Sequence, residues 1–220
     1  MGTVVGLASA EPISDVMKTL IIFNHPYEGS FCSAIRDSVK NGLRKGHHPC
    51  KVINLDKDRF DPVMREKDLG IFKLRGEEDI TLIEGIDPIV LRYKKKLEWA
   101  ERIVMIFPIW WMTMPAMTKG FIDKVIFPGV AYKMAGSRLQ STLNNLKQVV
   151  IITTMNTPAD VYRDEFNNSL EGSLIKGTFN KIGIHDIKWI SLNMVSQSGD
   201  EKRWIWLDEI ENMFKQKQAP

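Results

Sequence analysis

The chain has 220 residues, 44% hydrophobic and 26% charged, which excludes a disordered, collagenous or membrane-embedded polypeptide and fits one globular domain. Thirty Lys and Arg against 27 Asp and Glu leave a formal charge of +3, too even for the electrostatic footprint of a nucleic-acid binder. Cys32 and Cys50 are too few and too isolated for a disulfide framework or a zinc site, so no metal is expected and the free thiols point to a reducing, cytoplasmic compartment.

Residues 1–16 read as an N-terminal extension, natural or left from cloning, ahead of a single domain over 17–220. The mildly apolar Gly2 to Ala10 stretch has no Lys or Arg before it and is too short for a signal peptide. No run reaches the ~18 apolar residues of a membrane span. Thr19 to Phe23 is a continuous apolar run, the pattern of a strand buried on both faces. Phe31, Ala34, Ile35, Val39 and Leu43 then fall at helical spacing, and Gly46 after two basic residues reads as a helix stop. Lys51 to Leu55 is a second strand. The charged segment from Asp56 to Asp87 reads as a long connection with short helices, anchored by Phe60, Pro62, Val63, Met64 and Leu69.

Ile89 to Trp99 is helical in pattern, Arg102 to Phe107 a third strand, and Ala116 to Val125 a helix whose start is set by Pro115. Gln148 to Thr153 is a fourth strand, Tyr162 to Ile182 a helical stretch, Asp186 to Asn193 a fifth strand and Asp200 to Phe214 a terminal amphipathic helix. Strands alternating with helices make a three-layer, doubly wound α/β sandwich around a five-stranded parallel sheet. Ligands of such sheets bind outside the carboxyl ends of the strands. Three loops therefore come into question: Asn24 to Phe31, Pro108 to Pro115 and Thr154 to Tyr162.

The first loop places His25 and Ser30 before a helix whose N-terminal amides suit a phosphate, although Ser30 reads equally as a plain N-cap. It lacks the glycine-rich dinucleotide fingerprint and the phosphate-loop lysine motif, which disfavours a Rossmann nucleotide site or an NTPase. The second loop, Phe107-Pro-Ile-Trp-Trp-Met-Thr-Met-Pro115, puts two tryptophans where a strand ends, a setting for walling a planar ring. The third, Thr153-Thr-Met-Asn-Thr-Pro158, offers hydroxyls, an amide and backbone N–H groups, which is also ordinary turn chemistry.

Phe107 to Tyr132, with Phe-Pro, Trp, Pro-Ala, Lys-Gly and Ala-Tyr at matching spacing, resembles the NAD(P)H:quinone oxidoreductase family, DT-diaphorase and its bacterial relatives. Supporting matches are His25 with Ser30-Phe31, Arg59-Phe-Asp-Pro62 followed by Lys67-Asp68, and Thr153-Thr154. The resemblance runs from Lys18 to about Phe214 and implies a flavodoxin-like fold. It implies that His25, Ser30 and Phe31 hold the phosphate and ribityl end of a flavin, that Pro108, Ile109, Trp110, Trp111 and Met112 lie beside its ring, and that Thr154, Met155 and Asn156 meet the pyrimidine edge. Tyr162 falls close to the family's active-site tyrosine, with the intervening loop one residue longer here, and Arg203 matches a position near the adenine of FAD-using members.

The implied cofactor is FAD, with FMN as the alternative and NAD(P)H as co-substrate; the implied acceptor is a quinone or similar planar molecule, and the implied assembly a homodimer. Two features depart from the family. Met155-Asn156 stands where it commonly has two glycines, and the histidine that accompanies the tyrosine in animal enzymes has no clear counterpart. The competing readings are a flavin- and nucleotide-binding regulatory subunit of a potassium-efflux-type membrane system and, less well matched in charge, a one-electron carrier.

Overall fold

The computed structural model describes the backbone of residues 3–5, residues 16–70, residue 80 and residues 86–215. In chain order the strands are β1 (Thr3–Val5), β2 (Thr19–Phe23), β3 (Cys50–Asn54), β4 (Arg102–Pro108), β5 (Tyr132–Ala135), β6 (Arg138–Ser141), β7 (Gln148–Thr154) and β8 (Ile187–Leu192). The helices are α1 (Phe31–Lys45), α2 (Glu66–Leu69), α3 (Pro88–Trp99), α4 (Ala116–Val125), α5 (Ala159–Asp164) and α6 (Gly199–Lys215).

The five expected strands pair in parallel in the order β3-β2-β4-β7-β8. Thr3–Val5, within the stretch read as an extension, adds a sixth strand parallel to Lys188 to Ile190 of β8. Three residues are too few to show periodicity. A second addition is the antiparallel β5–β6 hairpin, which the sequence reading did not contain.

Strand side chains alternate between two apolar layers, as a period of two requires. Leu20, Ile22, Ile103, Met105, Phe107, Val149 and Ile151 share one cluster with residues of α3 and α4. Ile21, Phe23, Val104, Ile106, Val150 and Ile152 share the other with Ile35, Val39 and Leu43 of α1 and Ile210, Met213 and Phe214 of α6. Every residue of β2, β4 and β7 is buried, and each such aliphatic side chain contributes roughly 1.5–3 kcal/mol. Burial on both faces explains why these runs showed no polar alternation.

Several details depart from expectation. Gly46 ends α1 where the sequence places the stop, but in right-handed conformation (φ −81°), and His47 takes the left-handed turn (φ 59°). Glycine is required at 46 for space: a Cβ there would stand 2.6 Å from the His48 ring and 2.7 Å from the Lys215 carbonyl oxygen. Of the anchors expected in the Asp56–Asp87 connection Phe60 is buried, while Val63 and Leu69 are exposed; Ile80 is a further buried residue there. Asp68 is buried instead, 3.5 Å from the equally buried Lys124 ammonium, which also donates to the Val63 carbonyl. An apolar pattern could not reveal a polar anchor. Residues 71–79 and 81–85 of this connection lie outside the described residues.

The helical stretch from Tyr162 to Ile182 is broken. Asn167 and Asn168, at φ 49° and 45°, occupy the left-handed region that asparagine tolerates. The chain then resumes as a nine-residue π-helix, Glu171–Phe179, and a 3₁₀ turn.

Candidate functional site

Strand order reverses between β2 and β4, the place where open α/β sheets bind ligands. A cleft of about 220 Å³ lies there, lined by His25, Phe31, Cys32, Pro108, Ile109, Trp110, Thr154, Met155, Asn156, Val195 and Ser196. The structure thus gathers eight residues singled out from sequence at one cleft: His25, Phe31, Pro108, Ile109, Trp110, Thr154, Met155 and Asn156. Ser30, Trp111, Met112, Tyr162 and Arg203 lie outside its lining.

At the β2 end, the Tyr27 N–H donates to His25 Nδ1 at 3.1 Å. A neutral imidazole accepting at Nδ1 carries its proton on Nε2, which remains a donor. Ser30 is the N-cap of α1: its Oγ accepts the Ser33 N–H at 3.1 Å and lies 3.0 Å from Ser33 Oγ. Phe31 and Cys32, the first two residues of the helix, line the cleft. Amides at those positions have no intrahelical partner, and the helix dipole adds positive potential. Burial pushes the Cys32 thiol up to about 11, against the opposing effect of its 3.2 Å contact with Thr154 Oγ1. The thiol is therefore un-ionised near neutral pH and ties α1 to β7.

After β4 the chain makes a tight turn in which Trp110 and Thr113 exchange backbone hydrogen bonds of 2.9 and 3.1 Å. Trp111 and Met112 between them have φ of 48° and 60°. Such a mirror-image turn favours Asn-Gly, and each L-residue held left-handed costs about 1–2 kcal/mol. The Trp110 ring stands edge-on to His25, centroids 6.0 Å apart. Trp111 is 96% exposed. Of the two tryptophans, only Trp110 walls the cleft, because the turn sends its neighbour outward.

Beyond β7 the backbone is less available than the sequence reading expected. The Met155 N–H is taken by the Leu192 carbonyl at 2.9 Å, and the Ile109 N–H by the Thr154 carbonyl at 2.8 Å. Tyr162, on α5, is 2% exposed and packs edge-on against Trp189 at 6.1 Å. Its hydroxyl lies 3.0 Å from the Met112 carbonyl and 3.1 Å from Ser169 Oγ, and accepts the Leu170 N–H at 3.1 Å. Ser169 Oγ also donates to the Met112 carbonyl. Tyr162 is thus engaged in holding the strained Trp111-Met112 turn. Arg203 donates from Nε to the Gly199 carbonyl at 3.1 Å and pairs with Asp200 at 3.4 Å, both within the first turns of α6.

Cys32, Val195 and Ser196 were not among the residues singled out from sequence. Val195 and Ser196 follow β8, the carboxyl end of the fifth strand, so the rule that selected three loops would have found them had it been applied to a fourth.

The model of the flavodoxin-like fold family matches residues 17–213. A Haemophilus influenzae protein named an uncharacterized NAD(P)H oxidoreductase is 28% identical over 176 residues, 79% of this chain and 82% of that one. An FMN-dependent NADH:quinone oxidoreductase of Clostridium perfringens is 30% identical over 121 residues, which are 54% of this chain and 58% of the relative. Smu.1420 from Streptococcus mutans, of known crystal structure, is 29% identical and superposes with a TM-score of 0.73 over 90% of this chain and 99% of its own. The sheet order, the cleft at its reversal and a match over nearly the whole domain agree: the chain belongs to the flavodoxin-like fold family.

Proposed function

We propose that the protein is a flavin-dependent NAD(P)H oxidoreductase that passes two electrons, as hydride, to a quinone or similar planar acceptor. The observation that carries this reading is the cleft itself, which has anion-binding donors at one end, a flat aromatic wall and a polar edge opposite. The residues suit a flavin. His25 Nε2 and the first-turn amides of α1 would hold an anionic tail, Trp110 would lie against the ring, and Pro108, Ile109 and Met155 would supply apolar surface. Thr154 and Asn156 supply the hydrogen-bonding edge. A bound flavin contributes the hydride chemistry; the protein contributes binding, orientation and electrostatics.

A flavin held in this cleft would take hydride from NAD(P)H and pass it to the acceptor in turn. Tyr162 is read as a positioning residue for the wall. The names borne by the relatives favour this enzyme over the regulatory-subunit reading. FAD was the expectation from sequence, but Arg203, on which it partly rested, is held within its own helix; the Clostridium relative's name specifies FMN.

The purified protein is expected to show flavin absorbance bands, and heat release with chromatography identifies FAD or FMN. A colourless protein that takes up neither on addition would end this reading. We further expect a homodimer, with the exposed Trp111 turn near the contact, and a sedimentation mass of twice 25.2 kDa at micromolar concentration. A mass near that of one chain would contradict it.

A further inference from the structure

We infer that Asn24 is a positioning residue of the cleft: tied to Thr118 of α4 and to Asp56 beyond β3, its carboxamide holds His25 where it can meet the phosphate of a flavin. The inference rests on the cleft being a flavin site. Asn24 is the first residue after β2 and is 3% exposed; His25, which lines the cleft, follows it directly. The Asn24 N–H donates to the Ile106 carbonyl of β4 at 3.0 Å. Its Nδ2 donates to Asp56 Oδ2 at 2.8 Å, and its Oδ1 accepts the Thr118 hydroxyl at 2.8 Å. An ionised carboxylate can only accept, so the amide nitrogen must face Asp56 and the oxygen must face Thr118. The carboxamide therefore has one orientation.

Thr118, in the first turn of α4, is 1% exposed. A hydroxyl and a carboxamide buried this deeply are costly unless they satisfy each other. Neither residue is among the elements that carry the family resemblance, which assigns them no role. Glu28, in the same loop as His25, pairs with Arg36 at 3.0 Å and with Lys57 at 2.9 Å, but Glu28 and Lys57 stand in solvent, where such pairs contribute little. Asn24 supplies the loop with a buried support. Trp110 is held separately, by its backbone exchange with Thr113 and by the contact of Tyr162 with the turn. Loss of the Thr118 bond therefore displaces His25 and spares the aromatic wall.

The test is to strip the protein of flavin and titrate it with FMN, FAD and riboflavin, which has the same ring but no phosphate. Wild type is compared with Thr118→Val, Thr118→Ser, Asn24→Ala and the double variant Asn24→Ala/Thr118→Val. Valine keeps the shape of threonine but leaves Asn24 Oδ1 without its donor, so Thr118→Val is expected to raise the Kd of FMN and FAD about tenfold. Riboflavin should stay within about twofold of wild type. Thr118→Ser, which keeps the hydroxyl, should bind all three like wild type. The double variant should bind FMN no worse than Asn24→Ala, because both changes remove one bond. In the flavin-free protein the His25 ring proton signals should shift in Thr118→Val and return in Thr118→Ser. Unchanged FMN and FAD Kd in Thr118→Val, or an equal loss for riboflavin, would overturn the inference while leaving the flavin reading intact. A wild-type protein that binds none of the three would overturn the reading of the cleft and, with it, this inference.

Discussion

Replacing Gly42 with alanine is expected to destabilise the protein by about 1–3 kcal/mol. Gly42 is buried on α1 where that helix meets α6. A Cβ at this position would overlap the Glu211 carbonyl oxygen of α6 and stand 2.9 Å from Phe214 Cβ. Two effects oppose each other. In a free helix alanine is better than glycine by about 1 kcal/mol, but the atom in the way is helix backbone, which cannot rotate aside as a side chain could. The helices must separate, loosening a layer that includes Ile35, Val39, Met213 and Phe214. Phe31, at the cleft end of α1, packs against Trp206 of α6 at 6.1 Å, so the same displacement reaches the site. Thermal unfolding should show a lower Tm, by roughly 2–4 °C for each kcal/mol, together with weaker flavin uptake. An unchanged or higher Tm would mean that α6 yields freely and that the close approach has no structural importance.

Tyr162→Phe is the second substitution with a large expected effect. Removing the hydroxyl takes a bond from the Met112 carbonyl, which Ser169 still serves, and leaves the buried Leu170 N–H without its acceptor. A buried group left in that state costs about 1–3 kcal/mol. The turn it steadies holds Trp111 and Met112 left-handed, and Trp110 at its root forms the wall of the cleft. The expected result is a lower Tm and a flavin Kd raised severalfold, with the pH dependence of flavin reduction by NAD(P)H unchanged. A positioning residue gives that combination. A proton donor would give the reverse: wild-type Tm and Kd, with a slowed half-reaction and an altered pH profile.

The strands were legible because burial on both faces leaves an unmistakable trace, a β-branched and aliphatic run such as Ile103 to Phe107 or Val149 to Ile152. The loops that follow them were legible because the carboxyl-end rule converts strand order into location. Less visible was anything that depends on a distant partner. Asp68 buries a charge because Lys124, 56 positions away, answers it. The β5–β6 hairpin has strands of four residues, too short for alternation to register. The break after α5 depends on Asn167 and Asn168 taking left-handed conformations, and no single-residue preference forces two in succession.

By itself, then, the amino-acid sequence determined the alternation of elements, the parallel sheet and the three loops from which a cleft could be built, since local apolar periodicity and helix boundaries are written into consecutive residues. Only the tertiary structure decided which side chains face that cleft. It turned Trp110 inward and Trp111 outward through a strained turn, committed the Tyr162 hydroxyl to the backbone of that turn, kept Arg203 within its own helix, and brought Ser196 from beyond β8 to lock Asn156. The turn at Trp110 and the placing of Arg203 close on neighbours three or four positions away, but the Tyr162 and Asn156 contacts depend on hydrogen bonds between residues 40 or more positions apart, to Met112 and Ser196. Their geometry exists only once the strands have paired.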